Sequence, residues 1–193
     1  MIFHPTSLAG AFVIEPELRG DERGAFARTM CRDEFAAHGL VADFAQQNLS
    51  VTVQAGTLRG MHFQRDPAAE AKLIRCVRGA VHDVIVDLRA GSPSFLRHEA
   101  FELSAANGRQ LYVPPGFAHG FQTLVDDVEM TYLISAPYTP SAEGGLRYDD
   151  PRLGIDWPLP VATMSERDRR WPWMQADEPP LFRYRGDGVP PQS

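Results

Sequence analysis

Between residues 49 and 136, the chain is a series of short apolar runs separated by Gly, Pro and Asn. Each run is rich in Val, Ile, Leu, Phe and Tyr, and several alternate apolar and polar residues, as in AVHDVIVDL, where Val81, Asp83, Ile85 and Asp87 fall on one face. Alternating runs of this length are typical of strands. The other apolar runs are LSVTV, LIRCV, HEAFEL, RQLYV, HGFQTLV and VEMTYLI. This pattern predicts an all-β sandwich or barrel.

The ends of the chain differ from this central region. RDEFAAH predicts a short helix over about residues 32 to 38, which Gly39 ends. From residue 151 onward, Pro, Trp and charged residues predict turns and one short helix packed on the sheets. Residues 183–193, RYRGDGVPPQS, are expected to fray. We therefore expect one domain over residues 1–193, with a core at about 10–170 and a tail at about 171–193.

Composition narrows the classes of partner. At 193 residues and 44% hydrophobic content, the chain can bury a substantial core. Its net charge of -6 argues against nucleic acid as a partner, and the absence of an apolar run of about 18 residues argues against a membrane span. Cys31 and Cys76 lie outside CxxC and zinc-ligand spacing, and we expect both to be buried, unreactive thiols. A cytoplasmic protein is expected.

Three segments carry candidate chemistry. TLRGMHFQ places Arg59, His62 and Gln64 around a predicted Gly-containing turn, and Lys72 opens the next strand. A cation near an imidazole suits a diphosphate or a developing oxyanion, but surface charge and a structural histidine explain the residues equally well. His119, after VPPG, and Tyr132, within VEMTYLI, are weaker candidates, since a hairpin histidine and a core tyrosine are common.

Other chemistries are disfavoured. A cupin-type metal site needs an H-x-H pair, whereas Phe63 and Gln64 follow His62. No GxSxG, GxGxxG or P-loop motif occurs, which argues against a serine hydrolase and against built-in nicotinamide or P-loop chemistry. We therefore expect neither a metal nor a cofactor.

A series of ordered motifs points to one family. These are GDERGAF (20–26), FAQQNLS (44–50), LRGMHFQ (58–64), AKLIRCVRGAVHDVIVDLR (71–89), QLYVPPGFAHGF (110–121), YTPSAEGGLRYDDPRLGIDWP (138–158) and MSERDR (164–169). Over about residues 10 to 170 the chain resembles the dTDP-4-dehydrorhamnose 3,5-epimerase family. The resemblance implies a cupin-like jelly roll (double-stranded β-helix) with short flanking helices, acting on a nucleotide-linked 4-keto-6-deoxyhexose.

The resemblance also implies roles for residues. His62 matches the family's base, Asp168 its carboxylate partner and Tyr132 the opposing acid, while Lys72 would stabilise the enolate oxygen. Such residues suit the chemistry, because protons at C3 and C5 flank the C4 ketone and inversion requires reprotonation from the other face. The reaction needs no cofactor. Asp83 would orient a neighbouring active-site group, and a buried structural pair is the alternative. The implied substrate-binding residues are Arg23, Arg28, Gln46, Asn48, Arg59, Lys72, His119, Glu143 and Arg167.

Two positions depart from the family pattern. Members commonly read GFFLES where this chain reads GAFART, so Arg28 replaces a glutamate near the nucleotide. Thymine N3–H needs an acceptor whereas cytosine N3 is one, so Arg28 raises the hypothesis of a cytidine-linked substrate; pairing with the diphosphate or exposure to solvent are the alternatives. Arg167 replaces a frequent lysine and keeps its charge.

Several alternatives stay open at this point. They are a monoepimerase, a CDP-sugar epimerase, a 3,4-ketoisomerase on a similar fold and an inert sugar-nucleotide-binding protein. A metal-dependent oxygenase or sugar isomerase is a more remote one. The resemblance further implies a homodimer whose N-terminal strands pair across the interface, and AFVIEPEL is strand-like.

Overall fold

The structure, a computed structural model, describes residues 1–175, 180–184 and 186. It contains strands β1 (Ile2–Pro5), β2 (Phe12–Glu15), β3 (Arg19–Asp21), β4 (Gly24–Phe26), β5 (Gln46–Thr52), β6 (Leu58–Gln64), β7 (Lys72–Arg78), β8 (Ala80–Asp87), β9 (Arg89–Ala90), β10 (His98–Ser104), β11 (Gln110–Val113), β12 (Phe117–Thr123), β13 (Val128–Ile134), β14 (Glu143–Gly145) and β15 (Phe182–Arg183). The helices are α1 (Arg32–Ala37), α2 (Glu166–Arg169) and a 3-10 turn, Pro140–Ala142.

Two antiparallel sheets form the body of the fold. The six-stranded sheet has the order β1-β2-β11-β7-β13-β5, and the five-stranded sheet has the order β10-β8-β12-β6-β14. Two small sheets, β15-β9 and β3-β4, lie beside them. The sheets pack face to face as a jelly roll, which confirms the all-β, cupin-like prediction.

The core lies between the two sheets. Ile74 and Met130 from the six-stranded sheet meet Ile85 and Phe121 from the five-stranded sheet, and all are almost fully buried. Burying side chains of this size is worth about 1.5–3 kcal/mol each. Because side chains alternate along each strand, one set from each sheet points into this layer.

Both outer faces are also covered. Helix α1 packs Phe35 against Ile14, Leu73 and Tyr112 of the six-stranded sheet. The helix ends as expected, with the amide of Gly39 (φ 70°) donating to Ala36. On the five-stranded sheet, Val84 and Val86 lie under side chains of the C-terminal segment that include Leu146, Leu153, Trp157 and Phe182.

Several local expectations change. TLRGMHFQ is not a turn but strand β6, because it is paired on both edges, by β12 and β14. His119 likewise lies inside β12, beyond the turn at Pro114–Gly116. Cys76 is buried as expected, but Cys31 is only half-buried, at the start of α1. In the segment expected to fray, Arg183 belongs to β15, and 185 and 187–193 lie outside the described residues.

Candidate active site

A cleft of about 520 Å³ opens between the two sheets. Strands from both sheets and the segment leading into α2 contribute its walls. The lining residues are Asn48, Leu49, Ser50, Thr57, Leu58, Arg59, His62, Lys72, His119, Phe121, Tyr132, Ile134, Thr163, Met164, Ser165, Arg167 and Asp168. The cleft thus brings together most of the residues that the sequence singled out.

His62 and Asp168 form a close pair in this cleft. The Nε2 atom of His62 lies 2.7 Å from Oδ1 of Asp168, and the side-chain exposures are 30% and 5% respectively. Burial opposes ionisation of Asp168, but hydrogen bonds from His62, the Gly60 amide and Ser165 outweigh it and lower its pKa. Asp168 is therefore a carboxylate at neutral pH, and it fixes His62 with Nε2–H as the donor.

Helix α2 is built to present this carboxylate. Ser165 is its N-cap, and the Ser165 hydroxyl accepts a hydrogen bond from the backbone amide of Asp168 at 3.0 Å. Ser165 and Asp168 thus occupy the first and last positions of a capping-box spacing. The side chain of Asp168 is turned into the cleft, where it also accepts from the Gly60 amide at 3.4 Å.

Gly60 allows β6 to approach β12 closely. Its φ is 141°, and a Cβ atom there would lie 2.5 Å from the Cα of Gly120. Any larger residue would separate the strands. A bulge at this point leaves His119 directly opposite His62 in the register. The glycine of LRGMH therefore positions the histidine that follows it.

The opposite wall comes from the six-stranded sheet. Tyr132 lies on β13 and Lys72 begins β7, so both side chains face His62 from the other layer. Burial, and next the carboxylate of Asp83, raise the pKa of Tyr132, which keeps its hydroxyl protonated at neutral pH. Lys72 is buried and its Nζ lies 3.2 Å from the equally buried carboxylate of Glu70. A protonated phenol and an ammonium thus face the imidazole.

His119 forms a second, more deeply buried histidine–aspartate pair. Its Nε2 lies 3.0 and 2.9 Å from the two carboxylate oxygens of Asp83, which is fully buried. The imidazole also packs against the Tyr132 ring, with centroids 6.2 Å apart. Asp83 therefore contacts a residue that lines the cleft.

Charged and polar groups surround the mouth of the cleft. Arg59 is held by Thr52 Oγ1 at 3.1 Å and by the carbonyl of Val51. Glu143 does not line the cleft itself but binds Arg167, which does, at 2.9 Å. Gln46 likewise does not line the cleft but donates to the side-chain oxygen of Asn48, which does, at 3.3 Å. The mouth thus offers two guanidinium groups and the amide of Asn48.

Arg23 and Arg28 lie elsewhere. Arg23 is in the exposed β3–β4 hairpin and pairs with Asp21, and Arg28 pairs with Glu34 of α1 at 2.8 Å. Neither lines the cleft described above. The chain by itself therefore does not bring these two predicted substrate-binding residues to the others.

Sequence reasoning missed several residues of the site. Ser50 lines the cleft with a buried hydroxyl, and it acts on Tyr132 as a hydrogen-bonding group. Glu70 is the counter-charge of Lys72, but it lies in a loop where no pattern marks it. Ser165 could have been found, because S-x-x-D is the capping signature.

In residues 1–175, 180–184 and 186, no cluster of three metal-ligating side chains occurs.

No helix in the described part of the chain is long and apolar enough to cross a membrane.

Comparisons with known proteins agree with one another. The family model described as dTDP-4-dehydrorhamnose 3,5-epimerase matches residues 5–176. A dTDP-4-dehydrorhamnose 3,5-epimerase of Sinorhizobium fredii is 42% identical over 95% of this chain and 94% of its own. A dTDP-4-dehydrorhamnose 3-epimerase of Streptomyces niveus is 42% identical over 88% of this chain and 82% of its own. The crystal structure of a 3,5-epimerase from Bacillus anthracis, with TDP and pyrophosphate bound, superposes with a TM-score of 0.87 at 40% identity, covering 90% of this chain and 99% of that one. The chain belongs to the dTDP-4-dehydrorhamnose 3,5-epimerase family.

Proposed function

We propose that this protein epimerises a nucleoside-diphosphate 4-keto-6-deoxyhexose at C3, C5 or both. The observation that carries the proposal is the placement of His62 and Tyr132 on opposite sheets, both lining one cleft. Epimerisation needs a base on one face of the sugar ring and an acid on the other. The family membership and the named activities of the relatives support the same reaction.

The proposed reaction begins at the imidazole. Because Nε2 of His62 faces Asp168, the free lone pair is on Nδ1. Nδ1 removes the proton from the sugar carbon next to the ketone. The C–H electron pair then forms a C=C bond to C4, which gives an enolate whose charge lies on the C4 oxygen. The carboxylate of Asp168 stabilises the imidazolium that forms, and the ammonium of Lys72 stabilises the enolate oxygen.

The second step inverts the centre. As the ketone reforms, the carbon takes a proton from the hydroxyl of Tyr132 on the opposite face of the ring. The raised pKa of Tyr132 supports this role, because the hydroxyl holds its proton until a strongly basic enolate carbon accepts it. Solvent then returns a proton to the phenolate and removes one from His62. The cycle as written requires no cofactor.

We propose that the cleft mouth holds the nucleotide diphosphate. Arg59 and Arg167 supply cations for phosphate oxygens, Asn48 and its hydrogen-bonding partner Gln46 supply neutral amides, and His119 closes the site. Glu143 would set the position of Arg167, which it binds. We propose dTDP as the nucleotide, because the relatives above are named for dTDP sugars. A clear preference for the CDP-linked sugar would instead favour the cytidine hypothesis.

We further propose a cytoplasmic homodimer in which the β3–β4 arm reaches the partner's cleft. This would bring Arg23 and Arg28 to the substrate. Phe26 at the end of the arm is 74% exposed, and Leu49 and Val51 on the edge strand β5 are 61% and 55% exposed. Exposed apolar side chains on an unpaired edge strand are typical of an interface. Mixing inactive R23A and H62A proteins should restore activity if the arm serves the partner's cleft, and no recovery on subunit exchange would contradict it.

Deuterium exchange tests the reaction. In deuterated water, the protein should exchange the protons at C3, C5 or both of dTDP-4-keto-6-deoxyglucose, read by NMR, and His62→Ala should abolish this exchange. His38→Ala, a change at an exposed histidine outside the cleft, is the matched control and should leave it intact. Appearance of a 3-keto sugar would indicate the ketoisomerase instead. Binding without exchange would indicate the inert alternative, and either result would overturn the proposal.

A further inference from the structure

The indole of Trp171 lies directly beside the proposed base. Its ring packs edge-to-face on the imidazole of His62, with centroids 6.5 Å apart and an interplanar angle of 69°. Trp171 is not among the residues that line the cleft. Its contact with the imidazole is therefore made from outside the space available to substrate.

The adjacent strand provides the space in which this indole sits. Gly145 of β14 pairs with His62 in the register. A Cβ atom at Gly145 would lie 2.2 Å from Cε2 and 2.4 Å from Nε1 of Trp171, so the indole rests against the bare backbone. A side chain at that position would displace the ring, because these distances lie far inside van der Waals contact. Glycine at this position and tryptophan at 171 therefore form one packing unit behind His62.

The indole gains no hydrogen bond there. Its Nε1–H is buried, and among the residues that the structure describes it has no partner. A buried donor without an acceptor is unfavourable, and such a group calls for an explanation. No hydrogen bond from a described residue therefore holds the indole, and its packing against His62 and Gly145 fixes its place.

The same short segment holds the imidazole at two points. Asp168 of α2 fixes the Nε2 atom of His62, and Trp171, three residues later, contacts the ring. A single hydrogen bond fixes one atom but leaves the ring free to swing about it. Contact with a large flat side chain restricts that motion, and edge-to-face geometry is a favoured arrangement of aromatic rings.

We propose that Trp171 is a positioning residue that holds the His62 imidazole in the orientation needed for proton abstraction. This inference rests on the proposed function, because it assigns Trp171 a role through the base. Proton transfer depends steeply on the placement of the reacting atoms. A loosened imidazole should therefore slow the chemical step while leaving substrate binding, which involves other residues, unchanged.

The test compares kcat and KM for Trp171→Leu, Trp171→Phe and Trp173→Leu. Trp171→Leu should lower kcat about 10- to 100-fold with KM within about twofold, in line with the cost of misplacing a catalytic group. Trp171→Phe, which keeps an aromatic ring, should recover most of that loss. Trp173→Leu removes an exposed indole of the same segment that stacks on Arg147, and it should behave as wild type.

A second variant keeps the inference testable if Trp171→Leu fails to fold. Gly145→Ala places a methyl group where the indole sits, and it should lower kcat in the same way. Unchanged kcat in folded Trp171→Leu or Gly145→Ala would overturn the inference, as would a change confined to KM or an equal loss in Trp173→Leu. Absence of exchange in the wild-type protein would instead reject the proposed function itself.

Discussion

Replacing Asp168 by Asn tests the proposed histidine–carboxylate pair most directly. The substitution preserves shape but removes the charge that faces Nε2 of His62 at 2.7 Å. A buried hydrogen bond to a charged group contributes about 1.5–3 kcal/mol. If that amount is lost when the imidazolium forms, kcat should fall roughly 10- to 150-fold, since about 1.4 kcal/mol corresponds to a factor of ten.

The assay is the initial rate of deuterium incorporation at C3 and C5, followed by NMR at saturating substrate. Asp149→Asn is the matched control, because Asp149 also pairs with a cation, Arg147, at 2.8 Å but lies outside the cleft. KM should change little, since the carboxylate contacts His62 rather than the sugar. A rate for Asp168→Asn within about threefold of that for Asp149→Asn would refute the proposed role, because it lies well below the roughly tenfold minimum expected from the lost bond.

Three further predictions concern other parts of the molecule. Lys72→Met should lower kcat by about 10²–10³, the usual effect of losing an oxyanion donor, and a steady-state rate within fivefold of wild type would contradict this. Tyr132→Phe should impair inversion more than exchange, so deuterated but uninverted substrate should accumulate; equal loss of both argues against its role as the acid. Asp87→Asn should destabilise the fold by about 3–5 kcal/mol, measured by urea denaturation, because Arg89 would lose its buried counter-charge. Burial opposes ionisation of Asp87, but bonds from Arg89 and two serines lower its pKa below 3.8, so its stabilisation is present above that pH and declines as the pH falls through the folded-state pKa. A pH-independent difference between wild type and Asp87→Asn would contradict this.

How far a feature can be predicted from the sequence depends on whether it arises within one strand or from contacts that only the fold creates. Strands such as Val128–Ile134 were predicted because alternation along one strand records which side is buried. The sequence predicts a turn where strand β6 lies, because Gly60 marks a turn in isolation and its partner Gly120 is far away in sequence. The Glu70–Lys72 pair is close in sequence, but only the fold shows that both side chains are buried together.

The same distinction applies to the site. His62, Lys72 and Tyr132 were named from motifs, and the cleft brings them together because each strand carrying them belongs to a sheet that faces the other. Trp171 carries no motif, and its contact with His62 follows from the path of the chain after α2 and from the bare backbone at Gly145. Arg23 and Arg28 are the converse case, since their motif is recognisable but the chain alone leaves them outside the cleft.

The two histidines of the cleft differ in burial, and this difference bears on which of them can act as the base. Both bind a carboxylate through Nε2, yet His62 is 30% exposed while His119 and its partner Asp83 are 7% and 0% exposed. A base must reach its proton, and the more accessible imidazole with a free Nδ1 meets that condition. The buried pair is better suited to holding one fixed hydrogen bond beside Tyr132. With one accessible imidazole and one phenol opposing it, inversion at two carbons would require the same pair to act twice, with the sugar ring repositioned between the two events.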